Sequence, residues 1–143
     1  MKKIIFVLIG LISALLLLTG CGHYYYDYDE LTDSVQQIYI VDVQRSEYYG
    51  DITVEYLEEV EGEDFNSLLE QLSNLRYEWS VLLEPQNNTG RSIMLIYNRE
   101  DYDYAIVGLT GIEKFKNDEE VYFKNAVCDE DAFSQLLSNY YTD

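Results

Sequence analysis

The stretch Arg91–Gly108, with the sequence RSIMLIYNREDYDYAIVG, decides the fold because it joins two apolar runs through a polar segment. The first run, RSIMLIYN, is apolar on both faces. This is typical of a central strand covered on both sides, or on one side and by a partner on the other. Residues 99–103, REDYD, indicate a turn. The second run begins at Tyr104, so the pattern predicts a hairpin at the core of a sheet.

Two more strands are predicted upstream of this hairpin. Residues 34–44, SVQQIYIVDVQ, have strand alternation, with Ile38 and Ile40 on one face. Residues 52–60, ITVEYLEEV, alternate as well, and the intervening SEYYGD indicates a turn at Gly50. The side chains of the second strand that we expect to point inward are Ile52, Val54 and Tyr56. The two runs predict an antiparallel hairpin.

Two segments have helical periodicity. In the first, Gly62 marks a break, Asp64 is the predicted N-cap, and one apolar stripe is formed by Phe65, Leu68, Leu69, Leu72 and Leu75. The second helix is predicted near the C-terminus, where residues 129–131 are acidic and favour the helix dipole. Its apolar stripe consists of Phe133, Leu136, Leu137 and Tyr140. Each helix therefore has one face to bury.

The remaining segments complete the predicted architecture. Residues 77–84 suggest a strand, residues 85–90 a loop that contains Pro85, and residues 104–115 and 119–128 two further strands. The element order is β-β-α-β-β-β-β-α, without βαβα alternation. This order predicts an α+β fold with a single antiparallel sheet of five to six strands and two helices packed on one face. We expect one domain over residues 34–143.

The N-terminus has the layout of a secretory signal. Lys2 and Lys3 precede an apolar run from Ile4 to Leu18, and the small residues Thr19 and Gly20 follow. As a helix this run would be about 22 Å long at ~1.5 Å per residue, which is short of the ~30 Å hydrocarbon core of a bilayer. A processed signal over residues 1–20 is therefore favoured over a permanent transmembrane span.

The end of this segment, Leu18-Thr19-Gly20-Cys21, resembles the lipobox of bacterial lipoproteins. The resemblance implies cleavage before Cys21, a diacylglyceryl group on its sulfur, and a membrane partner at the extracytoplasmic face. Two acyl chains suffice for stable anchoring. Residues 21–33 lack an amphipathic period and predict a tether. An ordinary secreted protein and an uncleaved anchor are the alternatives. With its lipobox and IMLIYNREDYDYAIVG hairpin, the chain resembles small uncharacterised lipoproteins of Gram-positive bacteria, a resemblance that implies no activity.

The charge and the cysteines narrow the possible functions. The formal net charge is −18, and removal of Lys2 and Lys3 would make it more negative, which disfavours nucleic-acid binding. With Cys21 lipidated, Cys128 would remain without a disulfide partner. We predict that Cys128 is a buried structural thiol, because its acidic neighbours would raise a thiol pKa. The fold must then depend on its core.

Catalytic and metal sites have weak support. His23, the only histidine, lies in the predicted tether, so a nucleophile with a positioned base is not expected. Asp27/Asp29 and Asp101/Asp103 do not continue into a calcium loop, and no cofactor is expected. Cleavage before Cys21 would make His23 the third residue. A free amine, two amide nitrogens and the imidazole could then bind Cu(II) or Ni(II) in a square plane.

The tyrosines suggest a binding function. Packing alone explains those in predicted strands or at the end of the C-terminal helix, namely Tyr39, Tyr56, Tyr97, Tyr104, Tyr122, Tyr140 and Tyr141. Tyr48, Tyr49 and Tyr102 lie at or beside turns and are predicted to be exposed, where they could stack on sugars or contact a protein. We expect a non-catalytic binding module with an envelope protein or glycan as partner. The alternatives are a small envelope enzyme that uses Asp and Glu, with glycans as an example of its substrate, and a surface protein that binds divalent cations.

Overall fold

The computed structural model describes residues 23–25, 34–46, 51–78, 88–125 and 127–142. The helices are α1 (Glu63–Asn74) and α2 (Glu130–Ser138). The strands are β1 (His23–Tyr25), β2 (Gln37–Arg45), β3 (Ile52–Glu59), β4 (Arg76–Glu78), β5 (Gly90–Asn98), β6 (Asp103–Gly108), β7 (Gly111–Lys116), β8 (Glu119–Asn125) and β9 (Val127–Cys128).

Six strands form the main sheet, in the order β3-β2-β5-β6-β7-β8, and every neighbouring pair is antiparallel. The predicted hairpin is its centre, since β5 and β6 pair with Met94 opposite Ile106. The α+β class with one main antiparallel sheet is confirmed. Both faces of β5 are apolar because Ile93 and Leu95 pack in one buried cluster, and Met94 and Ile96 pack in a second cluster on the opposite face.

Both helices pack on the same face of the sheet. Leu68 and Leu72 of α1 and Phe133 and Leu136 of α2 belong to one buried cluster. The sheet contributes alternate residues of its strands to this cluster, namely Ile38, Ile40, Ile93, Leu95, Ala105, Val107 and Ile112. The apolar residues at helical spacing and those at strand spacing therefore pack in a single core. This confirms the prediction of two helices on one face of the sheet.

The opposite face of the sheet holds a second apolar cluster, formed by Val41, Val43, Met94, Ile96, Tyr104, Ile106 and Phe115. This face is concave, since two cavities open on it. The Arg45 guanidinium in β2 pairs with the Glu113 carboxylate in β7, although β5 and β6 lie between these strands. In a flat sheet the strands would be about 14 Å apart at ~4.8 Å per interval. Irregularities in pairing at Ile40/Val41 and Lys114/Phe115 are consistent with such curvature.

The ends of the helices only partly match the sequence prediction. α1 begins at Glu63, so Asp64 lies in its first turn and the prediction of Asp64 as N-cap was wrong. Gly62, at the cap position with φ 65°, provides no side-chain cap but allows the sharp entry into the helix. In α2, the Asp129 carboxylate accepts a hydrogen bond of 2.9 Å from the Ala132 amide and caps the helix.

The strand predicted over residues 104–115 is in fact two strands. β6 and β7 are joined by the turn Leu109–Thr110, and Gly108 pairs with Gly111 at its base. Gly108 is required there by space, because a Cβ atom on it would lie 2.4 Å from Asn88 Oδ1. Apolar residues on both sides of Gly108-Leu109-Thr110-Gly111 had predicted a continuous strand there.

A small second sheet has the order β1-β4-β9. β1 lies within residues 21–33, for which the sequence predicted a tether and no strand. In β1, Tyr24 lies opposite Tyr77. β4 occupies the start of the strand predicted over residues 77–84 and is not part of the main sheet. The remainders of both segments lie outside the described residues. These pairings join positions far apart in the chain, which local periodicity does not reveal.

Cys128, in β9, is buried, as predicted. Burial raises the pKa of its thiol to about 11; the Asp129 amide acts against this shift and the Asp129 charge adds to it. At pH 8 we expect the folded Cys21→Ser variant to react with a maleimide roughly a hundredfold more slowly than a free cysteine, because so little thiolate forms. The ordinary rate should return in urea. Fast labelling of the folded chain would contradict the buried position.

A buried polar network holds the end of the concave face together. It consists of Asn88, Arg45, Thr110 and Glu113, and is called the Asn88 network below. The Glu113 carboxylate accepts a 2.8 Å hydrogen bond from the Asn88 amide, and Arg45 Nε donates to the Asn88 carbonyl at 3.1 Å. The Asn88 side chain accepts from Thr110 Oγ1 at 2.9 Å and donates to the Gly111 carbonyl at 3.0 Å. It thereby fixes the β6–β7 turn.

Stability should depend on the charge of Glu113. Burial raises the pKa of this carboxyl above its ordinary 4.5, although the Asn88 amide and Arg45 act in the opposite direction. A carboxyl whose pKa is higher in the folded state than in the unfolded state stabilises the fold at pH values below its unfolded pKa. This contribution is lost as the pH rises through the folded pKa. The free energy of unfolding of the wild type, minus that of Glu113→Gln, should therefore fall as the pH rises above 4.5. Urea unfolding at several pH values measures this difference, and a flat or rising difference would contradict it.

Candidate ligand-binding groove

The concave face carries a cavity of about 510 Å³, here called the tyrosine groove. Its lining comes from β3, β5 and β6 and from the turns that follow β5 and β7. The lining residues are Ile52, Val54, Tyr56, Met94, Ile96, Asn98, Arg99, Tyr102, Asp103, Tyr104 and Asp118. The volume is within the range of small-molecule sites, which is about 300–1,000 Å³. Most such sites combine apolar walls with a few polar groups, as this groove does.

Two of the wall residues are the exposed aromatic side chains Tyr56 and Tyr102. Their exposed fractions are 55% and 63%, and no other large hydrophobic side chain is exposed in residues 34–46, 51–78, 88–120 and 127–142. The Tyr56 ring meets the Tyr39 ring edge-on, with centroids 5.0 Å apart. Two exposed aromatics at one concave site present apolar area that a ligand could cover.

One end of the groove is built from two linked turns. The Asn98 carboxamide accepts from the amides of Glu100 at 3.0 Å and Asp101 at 3.4 Å. The Asp101 carbonyl in turn accepts from the Asn117 amide at 3.1 Å, which ties the turn after β5 to the turn after β7. The groove therefore has a backbone-supported end.

The backbone is unusual at this end. The described non-glycine residues with positive φ are Tyr102 at 51°, Asn117 at 51° and Asp118 at 65°. Two consecutive positive φ values at Asn117 and Asp118 fit the tight hairpin turn between β7 and β8. For a bulky residue such as Tyr102 the left-handed region is costly, and such conformations concentrate at binding sites.

Two aspartates, Asp103 and Asp118, are among the lining residues of the groove. The Oδ1 atom of Asp103 is buried, and among the described residues it has no hydrogen-bond partner. The Asp118 carboxylate accepts a 3.0 Å hydrogen bond from the Tyr104 hydroxyl. Burial, together with this hydrogen bond and the Asp118 charge, raises the pKa of Tyr104, whose ring stacks on Phe115 with centroids 4.7 Å apart. Tyr104 is therefore a fixed, neutral hydrogen-bond donor.

The tyrosines predicted to be exposed are only partly placed by the structure. Tyr102 is exposed, as predicted, and lines the groove. Tyr48, Tyr49 and the lipidation site Cys21 lie outside the described residues. The backbone of His23 belongs to β1, opposite Glu78, and the proposed Cu(II) or Ni(II) site remains a prediction.

Sequence reasoning missed Tyr56, Asp103 and Tyr104 as groove residues. The prediction that Tyr56 points into the core was wrong, because Tyr56 lies on an edge strand of the concave face and is more than half exposed. Asp103 was assigned only to a turn and to an incomplete calcium pattern. A usable signal was the alternation of Ile52, Val54 and Tyr56, which puts Tyr56 on the same face as two apolar side chains that line the groove.

The described residues contain no specific metal site. No group of three or more His, Cys, Asp or Glu side chains there is placed to hold an ion. In the Asp101/Asp103 pair, Asp101 Oδ2 accepts a 2.7 Å hydrogen bond from the Asn98 carboxamide, which is a structural role within the turn.

Comparison of the chain with protein-family models, with curated proteins and with solved structures gave no match. Among the described helices, none combines the length and the apolar character needed to cross a bilayer.

Proposed function

We propose that this protein is a lipid-anchored, non-catalytic binding module of the extracytoplasmic membrane face, and that its ligand binds in the tyrosine groove. The observation that carries the proposal is that Tyr56 and Tyr102 converge on one concave surface. Exposed aromatic rings in a concave, partly polar site are typical of ligand recognition, because they provide contact area at little cost in side-chain entropy.

The chemistry of the lining favours binding over covalent catalysis. Apart from the apolar and tyrosine side chains, the lining residues in the described part of the chain are Asn98, Arg99, Asp103 and Asp118. None of them is a serine, cysteine or lysine nucleophile with a histidine base. Asp118 is already engaged by the Tyr104 hydroxyl. These groups are suited to orient a ligand by hydrogen bonds.

The membrane location is supported by the sequence of the N-terminus. The lipobox-like Leu18–Cys21 follows a basic and then an apolar segment, which is the order of a processed secretory signal. The strong negative charge of the chain would be repelled by anionic lipid headgroups. An anchored domain of this charge would therefore stand away from the bilayer, with its groove accessible.

A fragment screen followed by nuclear magnetic resonance tests the groove as the binding site. The full-length protein would be held in a neutral poly(ethylene glycol) ether detergent and exposed to a few hundred small fragments of mixed charge. We expect the fragments that bind to shift the amide resonances of β3, of residues 94–104 and of Asp118. The variant Tyr56→Ala should weaken these shifts, because it removes one exposed wall of the groove.

Tyr56→Phe is the matched control for this screen. It keeps the ring and removes only the hydroxyl, so fragment binding that depends on ring contact should persist. Binding that scatters over the surface, or that is equally strong in Tyr56→Ala, would overturn the proposal. Turnover of a glycan fragment that stops in Asp103→Asn would instead indicate an enzyme and would also overturn it.

A further inference from the structure

We propose that the ligand of the tyrosine groove is an extended basic peptide, which joins the main sheet as a new antiparallel strand beside β3. This assignment rests on the proposed function and specifies the chemical class of its ligand. Among the described strands, β2 alone pairs with β3, so β3 is an edge of the main sheet. The open edge and the groove lie side by side, because the same residues of β3 contribute to both.

The hydrogen-bond register shows which backbone groups of β3 can accept a further strand. The Ser46 amide donates to the Asp51 carbonyl at 3.1 Å, so these two residues form a hydrogen-bonded pair. In an antiparallel ladder, such pairs alternate with pairs that exchange no hydrogen bonds. Along the register from this pair, the N–H and C=O groups that point away from β2 belong to Ile52, Val54 and Tyr56. They offer three donors and three acceptors to a further strand.

The side chains of the same three residues face the groove. Ile52 and Val54 pack against the apolar cluster of the concave face, and the Tyr56 ring meets Tyr39, which also packs there. All three line the groove. Residues directly opposite each other in an antiparallel pair have their side chains on one face of the sheet. A strand beside β3 would therefore bond to the edge and place every second side chain over the groove, which is how sheet edges recognise extended peptides.

This part of the edge lacks the usual obstacles to strand addition. Proline, lysine and bulges are common means by which proteins protect their edge strands. Residues 52–56 contain no proline and no lysine. The irregularity in the pairing of β3 with β2 skips Leu57, which lies outside this stretch. The one charged side chain in the stretch, that of Glu55, then decides which strands can pair here.

The charges of β3 favour a basic partner. Its acidic side chains are all exposed, namely those of Glu55, Glu58 and Glu59. A second copy of this chain would bring the same acids and a formal net charge of −18 to the edge, and like charges on paired strands are destabilising. A strand with lysine or arginine at alternate positions would instead place a positive charge opposite Glu55. The occupant is thus a segment with apolar side chains over the groove and basic side chains on its other face.

Amide hydrogen exchange with a defined peptide tests the proposal. The full-length protein in the same neutral detergent would be mixed with acetyl-Lys-Val-Lys-Val-Lys-Val-Lys-amide. In the free protein we expect slow exchange at Thr53 and Glu55, whose amides bond to β2. Exchange should be fast at the edge amides of Ile52, Val54 and Tyr56. With the peptide at about ten times its dissociation constant, these three should slow by about tenfold, because the free fraction falls by that factor.

Two N-methylated forms of this peptide isolate the backbone pairing. In the antiparallel arrangement, the valine amides face β3 and the lysine amides face solvent. The form methylated at its three valine amides should bind at least about tenfold more weakly, because it loses three hydrogen bonds. The form methylated at three of its lysine amides should bind as the unmodified peptide does. Both forms keep the same charge and the same side chains, so attraction to the acidic chain alone cannot separate them.

The variant Glu55→Gln isolates the charge. It should weaken the peptide by about two- to fivefold, as expected for the loss of one cross-strand pair of opposite charges. Glu130→Gln makes the same change at an exposed position of α2 and should leave the dissociation constant unchanged. The acidic probe acetyl-Glu-Val-Glu-Val-Glu-Val-Glu-amide should bind at least about tenfold more weakly than the lysine peptide, because the acidic chain repels it.

The outcomes separate this proposal from the proposed function. Slow exchange of the edge amides in the free protein, equal affinity for the two methylated peptides, or a loss confined to the lysine-methylated form would overturn strand addition. Unchanged binding in Glu55→Gln would overturn the basic character of the ligand. Shifts of groove amides by chitotetraose, a neutral glycan chain, at lower concentrations than by the peptide would overturn the peptide assignment while the groove remained a binding site. If the fragment screen is silent at the groove as well, the proposed function fails with it.

Discussion

Replacing Cys21 with serine is expected to abolish incorporation of fatty acid into the protein. The thiol sulfur is the atom that would carry the diacylglyceryl group, and a serine hydroxyl cannot form the same thioether. In cells fed an alkyne-tagged fatty acid, we expect a labelled band for the wild type and none for Cys21→Ser. The effect is all or none because the anchor depends on one atom.

Cys128→Ser is the matched control, since it removes the other cysteine of the chain. Its label should equal that of the wild type, because Cys128 is buried inside the folded domain. Label that persists in Cys21→Ser, or an unlabelled wild type, would show that Cys21 is not lipidated and would leave a secreted protein or an uncleaved anchor as the alternatives.

Replacing Asn88 with alanine should lower the free energy of unfolding by about 2–4 kcal/mol. Asn88 is 1% exposed, and its carboxamide contacts both the amide and the hydroxyl of Thr110. The substitution leaves these groups without their acceptor and opens a small cavity. Urea unfolding followed by circular dichroism measures the loss.

Asn139→Ala is the matched control, because it makes the same side-chain change at an exposed position. Asn139 donates a 3.3 Å hydrogen bond to Gln71 at the surface. It should cost well under 1 kcal/mol. Gly108→Ala adds a second test, since its new Cβ would clash with the Asn88 side chain. The cost of Gly108→Ala should be smaller in the Asn88→Ala background, and additive costs would contradict direct contact between the two positions.

The parts of the fold that were predictable from sequence are those with a local period. The β5–β6 hairpin could be predicted because two apolar runs flank a polar turn, and α1 because its apolar residues recur at helical spacing. The curvature of the sheet could not be predicted, since it depends on pairing irregularities and on the contact between Arg45 and Glu113 across two strands. The turn at Leu109–Thr110 was missed because apolar residues continue on both sides of its glycines.

The candidate site divides in the same way. Tyr102 could be predicted as exposed because it lies in a polar turn. Tyr56 could not, because its exposure depends on β3 being an edge strand of a curved sheet. Asp103 was visible as an acid beside a turn, but the burial of one of its oxygens is a property of the folded groove. Sequence patterns thus located single residues, and only the three-dimensional fold brought them together.

The most direct measurement of the central claim is photo-crosslinking in intact cells. A benzophenone amino acid at position 56 would be irradiated, and the protein then analysed by mass spectrometry. The same probe at position 131, on the exposed surface of α2, is the control. We predict an adduct of defined mass at position 56 and none at position 131. No adduct at position 56, or equal adducts at both positions, would contradict a ligand bound in the tyrosine groove.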